Sequence, residues 1–157
     1  PNFNDVNVAT AFSKFGKLLR ARWFPRNIAA EESFRRLMVS NNDMCAAAGP
    51  LNDARHVANV THAIAKMSKA GKLVIDVNVR ETLAALEIAT TRVEMSSQHV
   101  SNTMWAFATL RREPGVEAWA ALETAVARTG PEMNDQDLSN SVWSYATLGR
   151  EPGAEAW

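Results

Sequence analysis

Apolar side chains recur along this chain at helical spacing, and no segment alternates in the manner of a strand. Leu138, Val142, Tyr145 and Ala146 stand at i, i+4, i+7 and i+8, which gathers them on one stripe of a helix that packs on neighbours. Asn134 precedes that stripe as a candidate N-cap, and Ser96 and Asp53 hold the matching places upstream. Pro114, whose fixed φ suits a first turn, opens another series through Trp119, Leu122 and Val126, which Gly130-Pro131 closes. The pattern predicts eight helical segments, at about 5–15, 28–39, 54–69, 78–91, 97–111, 114–129, 135–149 and from 152 onward.

These stripes belong to a repeat. Ser101-Asn102-Thr103-Met104-Trp105-Ala106-Phe107-Ala108-Thr109-Leu110 returns 38 residues later as Ser139-Asn140-Ser141-Val142-Trp143-Ser144-Tyr145-Ala146-Thr147-Leu148. The register persists from Arg112-Glu113-Pro114-Gly115 to Arg150-Glu151-Pro152-Gly153. A fainter copy, Ala58 to Met67, lies 43 residues upstream of the first, and another, Val6 to Phe15, a further 52. The 157 residues therefore divide into about four units, 1–53, 54–96, 97–134 and an incomplete 135–157. The surplus of the longer units belongs in connections, at 73–78 and within 18–27 or 40–53. Neither helix of such a unit buries its apolar face alone, so the expected fold is all-α, an α-solenoid of stacked helical hairpins forming one domain. A chain that begins at Pro1 and stops at Trp157 inside an expected helix reads as a piece of a longer protein.

The run Asp137-Leu138-Ser139-Asn140-Ser141-Val142-Trp143-Ser144-Tyr145-Ala146-Thr147-Leu148-Gly149, followed by Pro152-Gly153-Ala154-Glu155-Ala156-Trp157, resembles the octotricopeptide repeat. The likeness is closest over 97–157, extends to 54–96 and is faintest over 1–53. Two features depart from the family: the proline-rich opening is reduced to Glu-Pro-Gly, and Thr10 and His62 replace the helix tryptophan in the first two units. The resemblance implies a non-catalytic RNA-binding protein of the mitochondrion or chloroplast, acting on transcript maturation, stability or translation. Related repeats also occur in mitochondrial ribosomes, where they look like clamps on ribosomal RNA.

Charge modifies that expectation. Lys plus Arg and Asp plus Glu both number 17, which excludes a uniformly basic nucleic-acid binder. Residues 1–75 nevertheless carry +6 and residues 76–157 carry −6. Single-stranded or ribosomal RNA would then be met by the basic N-terminal half, and protein partners by the acidic C-terminal half. The alternative reading is a protein-interaction scaffold in a large complex. At 46% hydrophobic and 22% charged, the composition excludes disorder and collagen. The chain has neither an apolar run of the roughly 18 residues that span a bilayer nor a secretory leader pattern, so no membrane partner is expected.

Binding single-stranded RNA takes cations for the backbone and planar or polar groups for the bases. After the repeated helix, one alignment position holds Lys17, Lys69, Arg112 and Arg150, with Lys14 and Lys66 a turn earlier in the first two units. These either contact phosphate or complement a helix dipole, worth about 0.3–1 kcal/mol each. Arg20, Arg22 and Arg26 interleave with Trp23 and Phe24, and Arg35 and Arg36 extend the patch. Trp23 is either a stacking platform or, with Phe24, a plug for the end of the stack. Trp105 and Trp143 are either base-stacking platforms or core between units, and their place beside the apolar stripe favours core, as for Trp119 and Trp157. The recurring Asn7, Asn59, Asn102 and Asn140 either hydrogen-bond a base edge or tie one unit's backbone to the next; framework is favoured because they do not vary between units, and the variable Val8, Val60, Thr103 and Ser141 are better candidates for base selectivity.

Catalysis has no sequence support. His56, His62 and His99 lack metal-ligand spacing, Cys45 is a lone cysteine without a nameable base, and there is no Walker loop, dinucleotide glycine pattern or nucleophile elbow. No enzyme activity, metal or cofactor is expected.

Overall fold

The computed structural model describes residues 5–47 and 53–153. Among them the regular structure is helical, without strands: α1 (Asp5–Leu18), α2 (Glu32–Ala46), α3 (Ala54–Lys69), α4 (Val77–Thr90), α5 (Ser97–Thr109), α6 (Val116–Thr129) and α7 (Asp135–Leu148). Single 3-10 turns precede α2 (Ile28–Ala30) and follow α6 (Gly130–Glu132). No helix is long and apolar enough to cross a membrane among these residues.

The starts are set by capping. Asp53, Ser96 and Asn134 accept from the backbone N–H groups of Arg55, His99 and Asp137, as expected from their matching positions. Asp76 caps α4 in the same way through Val79. The second helix differs from expectation. Its first turn, at Ile28, is a separate 3-10 turn capped by the Asn27 side chain, and the α-helix begins only at Glu32 and continues to Ala46. The helix expected from 114 begins at Val116, because Gly115 is its N-cap. Residues 151–153 are not helical, and the remainder of the segment expected from 152, with Trp157, lies outside the described residues.

The helix ends repeat as well. Gly71, Arg111 and Gly149 adopt left-handed φ values of 65°, 50° and 64°. The next residue in each case, Lys72, Arg112 or Arg150, donates its backbone N–H to the carbonyl of Met67, Phe107 or Tyr145. That left-handed closure satisfies carbonyls at a helix end.

The odd helices pack in a row, α1 on α3, α3 on α5 and α5 on α7, while α2, α4 and α6 form a second row behind them. His62 meets Trp105, and Ser101 donates to Asp137, contacts 43 and 36 residues apart. At the start of α3 and α5 the charges of Asp53 and Arg55 act on His99, and farther along both helices His62 and Lys69 meet Trp105, so these two run parallel. Gly16 faces Ala63 across the first of these contacts, and two such small residues permit a close approach. Phe12, Phe34, Ile64, Leu86, Phe107 and Leu122 from the two rows are fully buried, each worth about 1.5–3 kcal/mol in apolar transfer.

The row's two flanks differ. Beside α1, Phe12 and Phe15 pack edge-on against Phe34, and Phe15 also against Phe24. On α7, Leu138, Val142 and Trp143 are exposed, whereas their counterparts one unit earlier, Val100, Met104 and Trp105, are buried or half-buried.

Candidate nucleic-acid interface

Three short stripes on the odd helices line a groove of about 540 Å³. On α3, spacings of four and three residues align His62, Lys66 and Lys69. On α5, Asn102 and Trp105 lie one turn apart, and on α7 Gln136 and Asn140 do the same. Trp105 is half-buried at the centre. The His62 ring meets it edge-on at 4.9 Å, and the Lys69 ammonium sits 5.4 Å from its centroid. Gln136 Nε2 donates to Asn140 Oδ1 at 2.9 Å, leaving the Gln136 carbonyl oxygen and the Asn140 amide hydrogens available. Burial, reinforced by the charge of Lys66, pulls His62 down to about 4, so its ring is neutral at pH 7. No carboxylate lines this groove among the described residues.

A second basic region occupies the connection between α1 and α2. Arg20, Arg22 and Arg26 are exposed there, as are Lys14 and Lys17 on α1 and Arg36 on α2. Trp23 is 69% exposed, whereas Phe24 is buried against Phe15. Phe24 is therefore the packed member of the pair, and Trp23 stands in solvent. Asn27 anchors this connection by accepting from the N–H groups of Ala29 and Val74, and Ile28 donates to the Lys72 carbonyl. Arg35 serves the local backbone, donating to the carbonyls of Ala29 and Ala30 at 3.1 and 3.0 Å.

The continuous basic row expected from the alignment is not what forms. Lys69 is the last residue of α3, whereas Arg112 and Arg150 lie beyond their helices, where the structural counterpart is Lys72. Arg112 is bound to Glu87 through Nε and Nη2 at 3.3 and 2.9 Å. Glu87 also accepts from the Gly115 N–H, so the pair holds the start of α6 to α4. Arg150 pairs with Glu113 and lies 5.4 Å above the Trp119 ring. Both arginines are thus engaged by carboxylates of their own chain.

The expectation for the tryptophans divides. Trp119 is buried edge-on against Tyr145, but Trp105 lines the groove and Trp143 is 44% exposed. Asn102 and Asn140, expected as framework, also line the groove. Val8, Val60, Thr103 and Ser141, expected to select bases, have no exposed surface because they face the neighbouring helices. His62 and Gln136 are therefore groove residues to which the sequence assigned no binding role, and Asn102, Trp105 and Asn140 are ones for which it favoured a framework role. Their helical spacing was visible, but the side of the stack they occupy was not.

No group of three His, Cys, Asp or Glu side chains converges on a metal-sized site among the described residues. Cys45 is buried, and desolvation pushes its thiol up to about 11, far from a reactive thiolate. Comparison with family models, curated proteins and solved structures finds no match for this chain.

Proposed function

We propose that the chain is an α-solenoid segment of octotricopeptide type that binds single-stranded or ribosomal RNA, without catalysis, in organellar gene expression. The observation carrying this reading is electrostatic. Among the described residues the ion pairs Arg112–Glu87, Arg128–Glu94 and Arg150–Glu113 all lie in the acidic C-terminal half. Lys14, Lys17, Arg20, Arg22, Arg26 and Arg36 stand exposed in the N-terminal half with no carboxylate partner among those residues. Their positive field is therefore not cancelled by ion pairing and is available to phosphate. The two rows of contacting helices and the repeated caps support a solenoid, whose long face suits an extended strand.

The reading is tested by titrating single-stranded RNA at several salt concentrations. Affinity should fall steeply with salt, and Arg20→Ala, Arg22→Ala and Arg26→Ala combined should weaken binding while the circular dichroism spectrum stays unchanged. Absence of binding even at low salt would overturn it. A protein-scaffold reading is favoured by one feature, the exposed Ile88 and Val116 beside a cleft of about 230 Å³ between α4 and α6. Failure of the RNA titration would leave that reading in place.

A further inference from the structure

We propose that the groove centred on Trp105 is a subsite for one unpaired nucleotide, with the base against the indole and its phosphate held by Lys66 and Lys69. This rests on the RNA reading above but on different residues. The groove falls within the roughly 300–1,000 Å³ of clefts that hold small ligands. Its charge is of one sign: two lysines border it and no carboxylate does among the described residues, so an anionic ligand is favoured. Its central surface is an indole, and any base has a π-face to offer such a platform.

Lys69 occupies the face of Trp105 in the free protein. Its side chain is exposed, so the ammonium can swing off the ring to meet a phosphate. That exchange is favourable because stacking a base on an aromatic outweighs an exposed cation–π contact. Around the ring, Asn102 and the Gln136–Asn140 pair present amide donors and acceptors to a base edge. His62 buttresses the indole from the side, meeting it edge-on. A groove that merely faced solvent would need neither the alignment of two cations around one aromatic nor the exclusion of acidic side chains.

The test uses the whole chain and a fluorescently labelled oligo(U) of about 12 nucleotides, read by anisotropy, with circular dichroism to verify folding. Trp105→Leu keeps apolar bulk but removes the stacking platform, and should weaken binding by about 5- to 100-fold. Trp105→Phe should retain affinity within about threefold. Lys66→Ala with Lys69→Ala should lower the slope of log affinity against log salt by about 0.7 for each phosphate no longer neutralised. Binding unaffected by Trp105→Leu and by the lysine double variant, yet abolished by combined Arg20, Arg22 and Arg26 replacement, would overturn this subsite and leave the RNA reading standing. A wild-type chain that does not bind the oligonucleotide at all would remove both.

Discussion

Replacing Arg112 by Ala separates the two roles open to a cation at a helix end. Its guanidinium gives two hydrogen bonds to one oxygen of Glu87, at 3.3 and 2.9 Å, and the two side chains are 31% and 17% exposed. Bonds to charged groups contribute about 1.5–3 kcal/mol when sheltered, whereas fully exposed pairs contribute about 0–1. The partial shelter here places the loss near about 1.5 kcal/mol, mainly because Glu87 keeps its charge and retains only the Gly115 N–H. A chain of this size loses about 2–4 °C of melting temperature per kcal/mol, so Arg112→Ala should melt about 3–6 °C lower. Thermal unfolding followed by far-ultraviolet circular dichroism measures this, and RNA affinity at fixed salt should stay within about twofold of wild type. A variant with unchanged melting temperature and RNA affinity reduced severalfold would refute the assignment of Arg112 as a fastener.

Two further outcomes follow from local geometry. Arg111 holds a left-handed φ of 50° where Gly71 and Gly149 serve the equivalent ends, so Arg111→Gly should relieve about 1 kcal/mol of strain and raise the melting temperature by about 2–4 °C; a lower melting temperature would contradict this. His62 has its folded pKa lowered to about 4 from an ordinary 6.5, so the unfolded state takes up its proton first. Stability should therefore be complete above about pH 6.5 and fall as the pH drops toward 4. His62→Gln should flatten part of that fall in urea midpoints measured across the window, and an identical fall in the variant would refute the cause.

Much of the helical plan is written in short-range signals. Asp53, Ser96 and Asn134 announce their helices because an N-cap depends on one side chain and the two or three residues after it. Ile28 misleads for the opposite reason: a local 3-10 turn, held by Asn27 and by the distant Lys72 carbonyl, mimics a helix start. The basic row went astray through one length difference. α3 runs almost a full turn longer than α5, so a register that is correct at the N-caps is three residues out at the left-handed ends. Groove residues were hidden because facing is a property of the stack. Nothing local to Thr103 says that it points into a neighbour while Asn102, beside it, points into the groove.

On α7, Leu138, Val142 and Trp143 stand 42%, 50% and 44% exposed, whereas the matching Val100, Met104 and Trp105 of α5 are buried or half-buried. A neighbouring helix laid against that strip would take apolar area out of water at about 25 cal/mol per Å², so hydrophobic burial favours an added neighbour there.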